Sequence, residues 1–547
     1  MPPDCPVYRS SFIFRCREGE LHKLKHMIRS RWSMALVLAA VLIGVLGVFH
    51  PYPYDNVQTR WALTRQMVEH GTLSIDPYAE FTADKAHFGD HYYCDKAVLT
   101  SVAAGVIHLP VHLLSSVINL PEQLPRYLAE RLLIGGSFIL LLLALARSGK
   151  REGQLEIIPV LALGLGSILL PYSTLLYGHV PAAFLIFLSY CFQKRKKYAR
   201  ADIFGALAAA VEFPTLLLFI ILAAYRGRAY WKPSRILRMA GFFIIAFLPQ
   251  ILHNWIAFGN PLTMGYSLEA TAAFEGMSHG FFGFTLPTPG SFYLLLISPE
   301  RGLLFYMPWV VFGFLGFFKN SARAGEVIKN TPLPVMVLAY ILLFSSYYMP
   351  SGGWAFGPRH LIPILPFLAL GLYSFVRGSR SRAFIVLVLI IPAMFQAYLG
   401  LFGEVHLPVH PFENPVPLPQ WNICANMLMN GHHSVWLADL LIPVIVLLLS
   451  LYTLAARFSS SRFTWAGMLW IPLMLILALL SAGRDWGGRI DFYRGILAEH
   501  REEYLLASQY YFLSAKDPTA PAIVGEKAIW CFEQASASAI QEKRFPE

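Results

Sequence analysis

Charge is scarce in this sequence. Asp, Glu, Lys and Arg make up 14% of 547 residues, against roughly 25% in an ordinary soluble domain. Apolar blocks recur along the chain, too many for one buried core, and most lack the polar face that a soluble helix keeps. A soluble protein with an enlarged core is thereby excluded, and the fold class read from the sequence is all-α, a polytopic integral membrane protein. Cysteine is scarce as well. The six stand at 5, 16, 94, 191, 424 and 531, with no metal-binding spacing, and nothing selects a bridge among Cys94, Cys424 and Cys531. There is no Walker motif, no GxGxxG after a strand and no HExxH, so a nucleotide pocket or a zincin-type centre is not expected.

What the sequence does have is a net charge of +11 and 56% hydrophobic residues. The Lys and Arg residues sit in short runs between apolar blocks, which points to phospholipid headgroups rather than nucleic acid. No cleavable signal peptide is evident. The first apolar run begins near Met34, after a basic tail at 1–33, and reads as a retained signal anchor; residues 1–20 carry no recognisable role.

The expected topology has about thirteen crossings within a membrane domain at 34–481, with the N-terminus inside. They are 34–49, 128–146, 155–172, 179–192, two short helices within 202–225, 236–256, 303–318, 333–349, 361–376, 384–401, 435–455 and 465–480. The block 98–120 is apolar but holds His108, Pro110 and His112. It is expected to dip in or lie along the interface, because a crossing there would invert every later basic loop. Within 202–225, Glu212-Phe213-Pro214 is costly at mid-membrane, so two helices meeting outside fit better than one. The inner tail and loops then hold 27 of the 44 Lys and Arg residues. Residues 482–547 form a short outer tail.

The first outer loop, 50–127, begins HPYPYDNVQTRWALTRQMVEHG and carries seven acidic and four basic residues between His50 and Lys96. So long and ionisable a segment beside a bilayer reads as a working site. Short amphipathic helices are expected in it, one with Val57, Trp61, Thr64 and Val68 at helical spacing and Gly71 as its stop. The outer face also collects Arg60, Lys85, His179, Glu212, Arg301, Arg359 and His360. Asp55 suits a general base or the cap of the next helix, and the residues leave both open. Lys96 suits a phosphate-holding cation or an interfacial anchor. Arg60 is read either as a site cation or as snorkelling to headgroups. Arg359 and His360 follow the turn SGGWAFGP, where a guanidinium fork and exposed backbone N–H groups match phosphate oxygens, though a Pro-led helix start reads the same way. Arg301, in ISPERGLLFYMPW, is a weaker version of the same signal.

In order and sidedness these segments resemble the C superfamily of polytopic glycosyltransferases (GT-C), specifically the protein mannosyltransferase and lipid A aminoarabinose transferase group, glycosyltransferase family 39. Asp55 matches the acidic residue that leads the family's first outer loop, although the next residue is Asn56. Arg60 resembles the arginine shortly after it. Lys96, in CDKAVL, resembles the lysine that meets the carrier phosphate, with Ala97 and Val98 replacing prolines. In YGHVPAAFLIFL, His179 stands where relatives carry a second outer Asp. VEFPTLLL resembles the family's TKGP turn, with Glu212-Phe213 in place of Lys-Gly. SPERGLLFYMPW and GGWAFGPRHLIPILPF resemble bacterial members. The likeness spans about 34–480.

The resemblance implies transfer of a sugar from a polyprenyl-phosphate donor to a lipid, glycan or protein acceptor on the outer face of a bacterial inner membrane, with inversion. Asp55 would act on the acceptor hydroxyl, with Lys96 and Arg359 balancing the leaving phosphate. A divalent cation, Mg or Mn, is the one cofactor the resemblance leaves open. His179 in place of an Asp argues against it, and no residue is assigned to a metal. Two other classes stand beside this reading: a polysaccharide polymerase or ligase acting on a pyrophosphate-linked glycan, and a lipid or solute transporter. The transporter would be expected to show paired repeats, and no clear repeat is present.

Overall fold

The structure is a computed structural model that describes residues 34–402, except 49, 51–54, 150–156, 228–229, 272–273, 275, 278, 299–300, 320–330 and 354, together with 504–515 and 528–536. The basic tail, the outer loop expected at 402–434, the crossings expected at 435–455 and 465–480, and most of the C-terminal tail fall outside the described residues.

The described fold is all-α apart from one small hairpin in the first outer loop. Helix α1 (Met34–Gly47) leads to α2 (Asp55–Arg65). A π-turn at Gln66–His70 follows and ends at Gly71, whose φ of 65° closes it, as the sequence led one to expect of that glycine. Short helices were expected in this loop, and between them it also forms the hairpin β1 (Ala86–Phe88) and β2 (His91–Tyr93), with Ala86 opposite Tyr93. The reason is local: Gly89 adopts φ 61°, and the tight turn is flanked by aromatic residues that favour a pleated strand.

Helix α3 (Leu99–Ser115) packs along α2 and precedes α4 (Leu124–Gly149). Arg126, at the start of α4, donates through Nη2 to the His50 carbonyl at 2.8 Å, and Tyr127 OH reaches the Leu46 carbonyl at 2.7 Å. The chain thus returns after α3 to the same end of α1 from which α2 departs, which favours the expected dip over a crossing. The outward face of α3 is apolar, with Val106, Leu109 and Leu113 exposed.

Next come α5 (Ile157–Gly164), α6 (Leu169–Tyr172) and α7 (His179–Lys194). Residues 157–183 are almost wholly buried and form the centre of the bundle. Helices α8 (Tyr198–Val211) and α9 (Thr215–Ala224) replace what would otherwise be one long helix. Glu212 is extended (φ −143°, ψ 104°) and Pro214 supplies no N–H, so the helix is broken where the sequence reading placed the break. Helix α10 (Pro233–Phe258) exposes a broad apolar stripe that includes Leu237, Ile244, Ile245, Trp255 and Ile256. Helices α11 (Pro289–Leu296), α12 (Leu303–Tyr306), α13 (Val310–Gly316) and α14 (Leu333–Ser345) follow. A 3-10 turn at Arg359–Ile364 then leads into α15 (Leu365–Val376), and α16 (Arg380–Phe402) comes next.

Thirteen crossings are not confirmed. Among the described residues four helices are long and apolar enough to cross a membrane: Leu124–Gly149, Pro233–Phe258, Arg359–Val376 and Arg380–Tyr398. Other apolar stretches are broken: 155–172 around Gly164 and Gly166, and 303–318 at Met307-Pro308. Such breaks are tolerated at membrane depth where neighbouring protein meets the freed backbone groups. Trp309 Nε1, for example, donates to the Gly166 carbonyl at 2.6 Å.

The expected inner loops gather at one end. Tyr373 OH donates to the Leu145 carbonyl at 3.2 Å, Lys319 Nζ to the Ser374 and Arg377 carbonyls at 2.7 Å each, and Arg226 Nε to Gln193 Oε1 at 2.8 Å. The opposite end of α7 carries His179 beside Glu212. The basic segment at Arg226 and the His179–Glu212 pair thus lie at opposite ends of α7.

Helix α13 meets α15 through glycines. A Cβ on Gly371 would lie 2.0 Å from the Gly313 carbonyl oxygen, so the backbones approach as small residues allow in membrane bundles. Gly371→Val is expected to cost about 1–3 kcal/mol by overpacking, read as a lower unfolding midpoint in detergent. Gly227→Ala, where nothing lies within 4 Å, is the control and should leave the midpoint within about 0.5 kcal/mol.

Candidate active site

At the His179 end of α7 a cavity of about 640 Å³ opens between the first loop, the α8–α9 turn, the loop after α10 and the α14–α15 connection. Seven of the nine residues singled out in the sequence line it: Asp55, Arg60, Lys96, His179, Glu212, Arg359 and His360. Lys85 and Arg301 do not. Lys85 turns away, its Nζ donating to the Ala79 carbonyl and standing 5.1 Å from the Tyr92 ring centroid. Arg301 is fully buried, with Nε on the Ser351 carbonyl at 2.8 Å and Nη2 on the Gly353 carbonyl at 2.9 Å. It holds the shape of the glycine turn from behind.

Lys96 is the centre of charge. Its Nζ lies 3.1 Å from Asp84 Oδ1 and 2.5 Å from Asp95 Oδ2, with the Tyr266 ring 5.6 Å away. Burial pulls the ammonium down, but the Asp84 and Asp95 carboxylates outweigh it and hold Lys96 well above its ordinary range. Asp95 is itself raised, first by burial.

Asp55 opens α2, where a carboxylate is favoured by the helix dipole. Its Oδ1 accepts from the Ala83 N–H at 2.7 Å and its carbonyl from Thr82 Oγ1 at 3.0 Å. The capping reading is therefore modified: the side chain fastens the loop at 82–83 to the helix start. Burial, then the nearby Asp84 carboxylate, pushes Asp55 up to about 7, against the Ala83 hydrogen bond and Lys96. A carboxylate titrating near neutrality is placed where a general base works best.

Arg60 is buried and fixes α2 to the next segment, with Nε on Asn56 Oδ1 at 3.0 Å and Nη1 on the Ala97 carbonyl at 2.9 Å. The snorkelling reading does not describe this side chain. Its Nη2 stands 3.6 Å from Glu212 Oε1, which is 3.4 Å from His179 Nδ1. Neither approach is a hydrogen bond. Glu212 Oε1, His179 Nε2, Arg359 Nε and His360 Nε2 are all buried without a hydrogen-bond partner. Four such atoms in one cavity is the pattern of a site built for a polar ligand.

Arg359 lies over the Tyr177 ring at 5.3 Å, and His360 stacks on Phe344 at 4.6 Å. Gly352 (φ 77°) brings the turn against them: a Cβ there would lie 2.9 Å from Arg359 Nε. Only glycine combines that φ with that approach.

Glu269 and Tyr266, in the loop after α10, were not singled out in the sequence. Glu269 bridges to Ala86 of β1, and burial, then the Asp95 charge, pushes its carboxyl up to about 9. Apart from the cavity lining, Glu69, His108 and His112 present ligand atoms within 4.8 Å of one another and can hold a divalent metal ion.

No protein-family model and no curated protein matches the chain. Among solved structures it is similar to the crystal structure of ArnT from Cupriavidus metallidurans bound to undecaprenyl phosphate, at 13% identity and a TM-score of 0.45. It is also similar to that of ArnT from Cupriavidus metallidurans in the apo state, at 14% identity and a TM-score of 0.41. Each comparison covers 88% of this chain and 80% of the other.

The Asp55 environment fixes a pH dependence. An acid raised from 3.8 to about 7 in the folded state contributes stability while it keeps its proton, and that contribution is lost as pH rises from near 4 to near 7. Asp55→Asn carries no such titration. The melting temperature of the variant minus that of the wild type should grow across this window and level off above it. A difference that stays flat with pH would contradict the assigned environment.

Proposed function

We propose that the chain is a membrane glycosyltransferase that moves a sugar from a polyprenyl-phosphate donor to a hydroxyl of a lipid, glycan or protein acceptor at the outer face of a bacterial inner membrane, inverting the anomeric centre. The observation that carries this reading is the two-sided character of the cavity. Its inner end holds Asp55, Lys96 and Arg359, while its wall continues along Leu216, Leu217 and Ile220 of α9. Leu216 and Ile220 are 38% and 54% exposed, so an apolar track runs from the ionisable end to the face that meets lipid. A ligand with a charged head and a long hydrocarbon tail fits both halves.

In this reading Asp55 takes the proton of the acceptor oxygen as that oxygen attacks C1 of the sugar. The C1–O bond to the phosphate breaks on the opposite face, and the lipid phosphate leaves with the bonding electrons. Arg359, whose Nε has no hydrogen-bond partner, offers a guanidinium to the departing phosphate, and Lys96 adds charge once the phosphate draws it from Asp84 or Asp95. His360, His179, Glu212 and the Tyr347–Tyr348 pair line the space left for the sugar. A monophosphate suits this charge balance better than the pyrophosphate of a polymerase or ligase, because Asp55, Asp84 and Asp95 already surround Lys96.

Purified protein in lipid, given a panel of radiolabelled polyprenyl-phosphate sugars with membrane glycolipids, should consume one donor. Asp55→Asn should lower kcat about 10²–10⁴-fold with little change in donor KM, whereas Arg359→Lys should chiefly raise donor KM. Consumption of a pyrophosphate-linked glycan alone would replace this reading with the polymerase or ligase one. Vesicle transport without bond cleavage would replace it with a transporter.

A further inference from the structure

Helix α3 carries His108 and His112 one turn apart, on either side of Pro110. Their rings lie 5.8 Å apart, centroid to centroid. Facing them from the π-turn after α2 is Glu69, whose Oε1 lies 2.9 Å from His108 Nε2. The three residues offer ligand atoms all within 4.8 Å of one another. Tetrahedral coordination with bonds of about 2.0–2.1 Å places ligand atoms somewhat over 3 Å apart, so modest side-chain adjustment closes the set around one ion.

The surroundings are those of a ligand set rather than of a surface cluster. The His108 side chain is 4% exposed and the Glu69 side chain 15% exposed. His108 Nδ1 is buried with no hydrogen-bond partner, and the His108 ring packs against Trp61 at 5.2 Å. Arg65 grips the carboxylate, with Nη2 on Glu69 Oε2 at 3.1 Å and Nε 2.9 Å from Oε1. A carboxylate that ligates a metal is in turn held by hydrogen bonds of this kind. Glu122 stands 3.7 Å from Arg65 Nη1 and offsets its charge.

We propose that Glu69, His108 and His112 form a structural site for a first-row divalent metal of the zinc class. Two imidazoles and one carboxylate suit Zn²⁺ or Co²⁺ and are a poor match for Mg²⁺, which takes oxygen ligands. The site lies outside the cavity lining and tethers α3 to the element that begins with Asp55. Arg60 on the Ala97 carbonyl and Thr64 Oγ1 on the Ser101 carbonyl, at 2.9 and 3.1 Å, already join α2 to α3 at the near end. The metal fastens the far end, where Pro110 removes a helical hydrogen bond and weakens α3.

The test uses the full-length protein, stripped with EDTA and reloaded with Zn²⁺ or Co²⁺ in separate samples, then desalted. The wild type should retain about one Zn²⁺ per chain by elemental analysis, and Co²⁺ should give the visible absorption of a low-symmetry four- or five-coordinate centre. His112→Ala, at a partly exposed position, should fold, lose the retained metal and lose the Co²⁺ absorption. Glu69→Gln should weaken both. EDTA should lower the melting temperature of the wild type and leave that of His112→Ala unchanged. Wild-type protein that retains no Zn²⁺, or retention unaltered in His112→Ala, would overturn the proposal. So would preference for Mg²⁺ over Zn²⁺ at equal concentration.

Discussion

A buried ammonium held between two buried carboxylates organises the cavity end of this protein. Lys96 is 5% exposed and stands between Asp84 and Asp95, and a buried ammonium left without such partners is strongly destabilising. The first loop must therefore fold so that residues 84, 95 and 96 meet, and that requirement brings 82–83 against Asp55. The same arrangement leaves more carboxylates than cations. Burial first, and then this surplus, raises the proton affinity of Asp55 and Glu269, the first on the cavity lining and up to about 7, the second up to about 9. The charge cluster thus shapes the loop, and burial together with that cluster sets the proton affinity of the candidate base.

The second constraint is the broken helix. A continuous α8–α9 helix would carry Glu212 within the membrane and leave no recess. Breaking it at Glu212–Pro214 places a carboxylate beside His179 and Arg60 and opens the apolar wall of α9 to the cavity. The glycine turn at 352–353 does the same for Arg359 and His360. Arg301 supports that turn through backbone carbonyls, which explains how so prominent a cation can matter to the site without lining it.

Much of this was legible in the sequence. Asp55, Arg60, Lys96, His179, Glu212, Arg359 and His360 were singled out as ionisable groups on one side of the membrane, and the structure gathers all seven. Lys85 and Arg301 met the same criterion and point elsewhere, because sidedness says nothing about side-chain direction. Glu269 and Tyr266 were missed. They lie in a Gly- and Phe-rich loop with no periodicity, and its pairing with the first loop, through the His87 N–H on the Leu268 carbonyl and the Ala270 N–H on the Lys85 carbonyl, brings Tyr266 to the cavity lining and Glu269 against β1. Glu69 and His108, separated by 39 residues, match no local metal-binding spacing for a similar reason. The hairpin at 86–93 was also missed, hidden by the helical periodicity that precedes it.

Hydropathy and helix-breaking residues determined the membrane class and the break at Glu212–Pro214. These depend on how short segments partition between lipid and water, and that is close to a sum over neighbouring residues. Tertiary structure alone decided which ionisable groups touch, which keep a proton and which stretches expected to cross are short, broken helices. Those outcomes depend on distances between residues far apart in the chain, where a few ångströms separate a screened surface charge from a buried pair.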